Sequence, residues 1–488
     1  MNDLTLTRAQ ALRRTASAGL GFLAAGRLAP GLLEQSAAAA TEPAAVHAYT
    51  SRPDLRPPIV SVLHHERGAT ADGLFFMAPL SGPGSRGAML MDDTGEIVYF
   101  HPTKPIVALN FRTATYRGKP VLTWWEGRTE HGLGDGSHVI LDQNYRLVQR
   151  LHTGNGHHAD LHEFLLTERG TALVTAWEHA EADLRPFGGP SNGVVVNGIV
   201  QELELPSGRV LFEWKSLDHV SLAESYAGVG DQFDFFHINS IERLVDGDYL
   251  VSARNTWCIY KIDGRSGEVV WRLGGKRNDF AMGPGTVFAW QHDARLHPGN
   301  LLSLFDDGGG PTVQPQSKGL VLALDVKRKR ALLHRRYTHF PTVHAQALGS
   351  MQRQPNGNVL VGWGTAPYFS EYTDGGRVVF DARLPRGGQN YRTLRFPWRG
   401  EPHFRPAVTA TRHAAGHLLH VSWNGATEVA QWRVESGASP AKLLTQRTVP
   451  KTHFETRIAV PRDARAARVT ALDKDGSPLR RSKTIRLE

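Results

Sequence analysis

The sequence runs to 488 residues, 41% of them hydrophobic, with 50 Gly and 28 Pro; that balance excludes a disordered chain and suits a globular protein rich in turns. The net charge is +9 with His neutral, part of it in basic tails (Arg13, Arg14 and Arg27; Arg480, Arg481, Lys483 and Arg486). With no lysine-rich block and no nucleic-acid motif, the surface reads as solvated and basic, equally suited to drawing in anionic substrates, and no nucleic-acid partner is expected.

Residues 1–45 read as an export leader. Arg13-Arg14 precede a mildly apolar stretch, Ala16 to Ala25, and Ala37 to Ala40 offer a small-residue cleavage region. Paired arginines before a weakly hydrophobic core point to twin-arginine export, hence to a secreted or cell-envelope protein. No later stretch holds 18 uninterrupted apolar residues, so no membrane span is expected. The single cysteine, Cys258, excludes an internal disulfide and reads as a buried structural thiol.

From residue 46 two kinds of strand alternate, six of each. One kind follows a turn glycine: Gly73, Gly118, Gly170, Gly247, Gly299 and Gly357. The other is an outer strand, as in Gly95-Glu-Ile-Val-Tyr-Phe, Tyr145-Arg-Leu-Val-Gln, Gly208-Arg-Val-Leu-Phe, Gly267-Glu-Val-Val-Trp, Arg330-Ala-Leu-Leu-His and Gly376-Arg-Val-Val-Phe. Repeats of this length, each with about four short strands, predict a six-bladed β-propeller over 46–397. The long interval between Gly170 and Gly247 implies an insertion, with a short helix or lid over 215–235. Residues 398–488 change character, to short alternating runs that predict a β-sandwich of immunoglobulin or fibronectin type.

In a propeller the start of each inner strand and the end of the next share one rim. Four inner strands bring histidine there: His157-His158-Ala-Asp160-Leu-His162-Glu163, Phe236-His237-Ile-Asn239, Trp290-Gln291-His292-Asp293 and His344-Ala-Gln346. A fifth begins Asn110-Phe-Arg112. Second strands end in Trp124-Trp125-Glu126, Trp177-Glu178, Arg254-Asn255, Asp306-Asp307 and Trp363-Gly364. Neutral imidazoles, an arginine and an asparagine amide supply donors with little negative charge, as a tetrahedral oxyanion requires. One imidazole can attack as a nucleophile and others can move protons. The histidines come from different blades, which argues against a preformed metal site although His157, His158 and His162 cluster; no metal and no cofactor is expected.

These segments resemble the arylsulfate sulfotransferase family, in its actinobacterial and fungal branch. The resemblance is carried by Asp160-Leu-His-Glu-Phe, Phe236-His-Ile-Asn-Ser-Ile, Ser252-Ala-Arg-Asn-Thr, Val270-Trp-Arg-Leu-Gly-Gly-Lys, Trp290-Gln-His-Asp-Ala-Arg, Gly357-Asn-Val-Leu-Val-Gly-Trp-Gly, Tyr368-Phe-Ser-Glu-Tyr and, near the C-terminus, Ser422-Trp-Asn-Gly-Ala-Thr-Glu. It implies a six-bladed propeller that moves a sulfuryl group from an aryl sulfate to a phenol through a sulfated histidine, without a nucleotide donor. His292 matches the nucleophile, His237 and Asn239 the pair that binds sulfate and assists proton transfer, Arg254 the sulfate-binding arginine and His162 the remaining channel histidine. His344 joins the substrate-binding set, and Trp125 and Trp363, with Trp124 and Trp177, either stack on aryl rings or pack blades. Unlike the periplasmic members, the chain has no disulfide and carries its extra module at the C-terminus. Two other readings stay open: a non-catalytic propeller binding a sulfated or aromatic ligand or a partner, and a hydrolase or metal-dependent oxidoreductase on the same rim.

Overall fold

The computed structural model describes residues 45–414 and 416–488. The leader expected over 1–45 lies outside the described residues, Ala45 apart. Over the described residues the protein is all-β; its helical segments are three short turns, Arg185–Phe187, Ser216–His219 and Leu222–Glu224. Two of the three fall where the insertion was expected, and the last is closed by a capping box between Ser221 and Glu224.

Six antiparallel meanders of four main strands each follow one another. Their first strands are Leu394–Phe396, Val107–Tyr116, His158–Leu166, Ile238–Arg243, His292–His297 and Ser350–Arg353. Each first strand lies against the next, and the last returns to the first, so the arrangement is a closed, propeller-like ring. All six outer runs read from the sequence form the fourth strands: Ile97–Pro102, Leu147–Leu151, Val210–Lys215, Val269–Gly274, Arg330–Tyr337 and Val378–Arg383.

The sheet that contains the first turn glycine takes its first strand from the far end of the ring, Leu394–Phe396, paired with Leu74–Met77. Gly73 (φ 113°) makes the closure possible, because a Cβ there would lie 2.4 Å from the Phe396 main-chain carbon. Adjacent sheets bury shared apolar layers, such as Leu173, Val200, Trp214, Phe236, Val251 and Tyr260 between the third and fourth. Cys258 belongs to the same layer, and burial pushes its thiol up, as expected of a structural cysteine.

Residues beyond 398 form two more sheets. One holds Ala407–His413, Gly416–Ser422 and Glu455–Val460; the other is built on Gln431–Ser439 and Ala466–Leu472. Leu419, Val421, Trp432, Val434, Ile458 and Val469 share one core. The ring is gripped through Asn424, whose side chain accepts from the Phe100 N–H and donates to the Phe100 carbonyl, both at 2.9 Å. Tyr145 Oη donates to the Gly425 carbonyl at 2.6 Å.

One buried group makes stability depend on acid. Both ring nitrogens of His138 are buried without a partner beside Phe164, and burial pulls the imidazole down to about 3. The folded state refuses a proton that the unfolded chain takes up below its ordinary value near 6.5. Stability should therefore fall by about 1.4 kcal/mol per pH unit from about pH 6.5 towards 3 on this account alone. Urea denaturation at pH 7 and pH 5 should show a smaller acid loss in His138→Leu than in the parent.

Candidate active site

A cavity of about 610 Å³ opens at one end of the ring, and His162, His237, Arg254 and His292 all line it. Its apolar wall includes Leu80, Val107, Leu109, Leu161 and Leu348. The backbone explains how four residues from three sheets meet. The first strands leave regular pairing where the site residues sit, with register shifts between Ala159 and Phe164, Ile238 and Ser240, and His292 and Arg295. His237, Trp290 and Asp293 take positive φ values of 57°, 59° and 53°. Such bulges re-aim side chains away from the ladder, here along the channel.

His162, His237 and His292 each have a carboxylate at Nδ1. His162 Nδ1 meets Asp160 Oδ2 at 2.6 Å, His292 Nδ1 meets Asp307 Oδ2 at 2.7 Å, and His237 Nδ1 bonds Asp234. A carboxylate at Nδ1 selects the Nδ1–H tautomer and leaves the Nε2 lone pair for the cavity. Burial holds His292 well below the usual imidazole value, with the Arg254 charge acting in the same direction. Burial also lowers His162, against the opposing charge of Asp160. Burial alone would raise Asp160, but His162 and the Gly134 N–H pull it down, so that pair carries its negative charge on the carboxylate. The His162 and His237 rings meet edge to face with centroids 4.6 Å apart.

Arg254 follows the strand Tyr249–Ala253 and lies over the Trp290 ring at 4.8 Å. It donates to the Gln346 carbonyl at 2.9 Å and to Asn255 Oδ1 at 2.9 Å, while its Nε is buried without a partner. Its main-chain N–H donates to the His237 carbonyl at 2.9 Å, which fixes the arginine to the second histidine. Arg86 lines the same cavity, so two guanidiniums face one lining carboxylate, Asp234.

Beneath the cavity the channel is closed by a buried ionic cluster. Arg392 donates to both oxygens of Glu163, at 2.7 and 3.2 Å, and to Asn110 Oδ1 and the Asn239 carbonyl. Arg295 donates to Glu163 at 2.5 Å and to Asp293 at 2.7 Å. Tyr391 Oη donates to the carbonyls of His162 and Asn239, joining this floor to two of the site strands.

Four expected site residues lie elsewhere. Asn239 sits below the cavity, where its amide donates to the Gln291 carbonyl at 2.6 Å and braces the turn into His292. His344 is exposed on the run before Ser350–Arg353; the first strand of that sheet begins later than its sequence suggested, and Ala347 and Leu348 reach the cavity instead. Trp125 and Trp363 are fully buried and offer no ring face to a ligand. Their indole N–H groups donate to the Ala159 carbonyl at 2.9 Å and to Ser370 Oγ at 3.0 Å, so they pack sheets.

Arg86 and Arg392 stand outside the sequence-based expectations, and the carboxylates enter them only as neighbours of the rim histidines, with no role. Asp160-Leu-His162 carried a usable signal, since alternate residues of a strand share a face. Asp307 stands at a second-strand end on the same rim in the sequence, but only the pairing of His292 with Phe305 makes it the partner of His292. Among the described residues no group of three His, Cys, Asp or Glu side chains is arranged to hold a metal ion. Nor is any helix among them long and apolar enough to cross a membrane.

The family model described as arylsulfotransferase (ASST) matches residues 112–384. No curated protein matches the chain. Among solved structures, a protein of unknown function from Bacteroides caccae is 13% identical, with TM-score 0.42, covering 66% of this chain and 98% of its own. A catalytically inactive virginiamycin B lyase from Staphylococcus aureus with quinupristin is 8% identical, with TM-score 0.35, covering 74% and 94%. The Dos1 propeller is 14% identical, with TM-score 0.34, covering 68% of each chain.

Proposed function

The chain belongs to the arylsulfotransferase (ASST) family, and from that premise we propose that it moves a sulfuryl group from an aryl sulfate to a phenol through a sulfated His292, without a nucleotide donor. The observation that carries this reading is the convergence of three carboxylate-backed histidines and Arg254 on one cavity with an apolar wall.

The steps follow from the tautomers. The Nε2 lone pair of His292 attacks sulfur as the S–O bond to the aryl oxygen breaks. The ring gains positive character, which Asp307 stabilises through Nδ1–H. Arg254 and Arg86 hold the sulfuryl oxygens, whose charge they match. His237 takes part with a second proton on Nε2, in addition to the Nδ1–H that Asp234 accepts, and gives that Nε2 proton to the departing phenolate. In the second half the acceptor phenol returns a proton to His237 while its oxygen attacks sulfur, and the S–N bond breaks to restore His292. His162 packs edge to face on His237 and keeps its ring in place.

On the same reading the six ring sheets are the blades of a six-bladed propeller, and the two sheets beyond 398 form an immunoglobulin-like sandwich over their shared core. Arg13-Arg14 and the small-residue run at Ala37 support twin-arginine export. The Ser422-Trp-Asn-Gly-Ala-Thr-Glu motif supports the actinobacterial and fungal branch.

The assay is nitrophenolate release from p-nitrophenyl sulfate with a phenol as acceptor; no release with any phenol rejects the reading. Asp307→Asn tests the roles within it. The amide accepts from Nδ1 no better than it donates to it, so the Nε2 lone pair is no longer secured. A loss in kcat of about 10²–10⁴ is expected, with KM little changed. With His292 held below the ordinary imidazole value, the acid limb due to its protonation should lie below pH 6.5 in the parent.

A further inference from the structure

The transfer cavity does not end at the ring. The strands Lys119–Glu130 and Leu133–Asp142 pair down to Glu130 opposite Leu133, and Thr171–Ala182 and Gly193–Glu204 pair down to Ala182 opposite Gly193. These second strands have 12 residues each, against four to six in the other sheets. Between the extended hairpins lies an outer basin of about 780 Å³. Thr129, His131, Gly230, Gln232 and Asp234 line both spaces, so the two are contiguous. Each alone is in the range of about 300–1,000 Å³ that holds a drug-sized ligand. A single-ring aryl sulfate leaves most of the outer one empty.

The lining of the basin is aromatic on one side. Trp177 is pinned by its N–H to the Gly134 carbonyl at 2.7 Å. The His158 ring stacks on it at 4.2 Å and 15°, and His179 meets it edge-on at 5.1 Å. The outer part of His158 is half exposed to the basin, and Val194 continues the wall. The charge balance differs from that of the transfer cavity. Here Arg128 is the one guanidinium among Glu130, Asp135, Asp231 and Asp234. The inner space has Arg254 and Arg86.

We infer that the outer basin is the specificity site of the transfer reaction, and that it takes the distal part of an extended aryl substrate with at least two rings, neutral or cationic at its outer end. The inference rests on the sulfuryl-transfer reading. The sulfate ester or phenolic oxygen enters the inner cavity, the first ring crosses the Thr129–His131 rim, and the second ring lies against His158 and Trp177. The carboxylates around the basin disfavour an acidic outer substituent. Because donor and acceptor occupy the site in turn, the preference applies to both.

The test compares phenol, 4-phenylphenol and 4'-hydroxybiphenyl-4-carboxylate as acceptors, with p-nitrophenyl sulfate as donor. The expected kcat/KM is about ten-fold higher for 4-phenylphenol than for phenol, and the carboxylate loses that gain. Val194→Trp, a filling change at a partly exposed position, and Trp177→Ala should each bring the ratio of 4-phenylphenol to phenol near one. Asp231→Asn should narrow the gap between 4-phenylphenol and its carboxylate. A ratio near one in the parent protein, or one unmoved by both wall variants, overturns the inference. If no acceptor supports turnover, the transfer reading itself has failed. Calorimetric titration with 4-phenylphenol then reads the basin directly: saturable binding lost in Val194→Trp retains it as an aryl site, and absence of binding in the parent removes it.

Discussion

His292→Ala should lower turnover of p-nitrophenyl sulfate by about 10⁴-fold or more, because it removes the atom to which the sulfuryl group is transferred. The imidazole is buried, its Nδ1–H is committed to Asp307 at 2.7 Å and to the Trp290 carbonyl at 3.1 Å, and its Nε2 faces the cavity and accepts from the Leu348 N–H at 3.3 Å. That last bond is long enough to be exchanged for a bond to sulfur. The neighbouring groups remain in the variant, so binding of an aryl sulfate should survive far better than kcat. Rapid quenching of the parent with donor alone should leave a sulfuryl adduct on the peptide that contains His292, and the variant should leave none. An adduct on His162 or His237 instead would reassign the nucleophile while keeping the reaction.

Arg392→Met should cost about 3–5 kcal/mol of folding stability, measured by urea denaturation. Arg392 and Glu163 are both buried, and Glu163 lies under the site with Arg295 as its second ion-pair partner. Removing that guanidinium leaves a buried carboxylate with Arg295, the Asn110 amide and the Ile241 N–H as its donors. Glu163→Gln in the same chain should recover part of the loss, a coupling of at least about 1 kcal/mol, since the charge that lacked a partner is gone. Burial would raise Glu163, but Arg295 and Arg392 overcome it and hold the carboxyl at about 2. The contribution of this group is therefore complete above its ordinary value near 4.5 and is lost as pH falls from there towards 2. In Arg392→Met that acid loss should be shallower, because the carboxyl moves back towards its ordinary value. The variant should also weaken catalysis, since Arg392 and Tyr391 tie the floor to the Asn239 and His162 carbonyls.

Asp307→Asn and His292→Ala probe one dyad from its two ends and need not add. The first tests how the ring is held, and the second tests the ring itself. Neither depends on the outer basin, which is probed by Val194 and Trp177.

The sequence alone determined the repeat. Turn glycines and Val/Leu/Ile runs recur at fixed places because every sheet must bury both faces against its neighbours, and that demand is written locally in each copy. All six outer strands were legible for that reason. So were His162, His237, His292 and Arg254, because strand starts and strand ends of a repeat share a rim. What the sequence could not determine were quantities set between distant segments. The closing strand Leu394–Phe396 is recognised only when it pairs with Leu74–Met77, more than 300 residues away. Arg392, just ahead of it, reaches Glu163 across the channel for the same reason. Asp307 becomes the partner of His292 only through pairing across two strands. Side-chain direction at a bulge was equally hidden, since one extra residue turns Asn239 below the cavity, and His344 stays outside because its strand begins only at Ser350. Tryptophans at strand ends looked like ring platforms, but only packing of neighbouring sheets shows that Trp125 and Trp363 are enclosed. The histidine-lined mouth was thus visible in the chain, whereas the pairing of Asp307 with His292 needs two strands brought together, and the ionic floor and the aromatic basin beyond arise only where separate sheets meet.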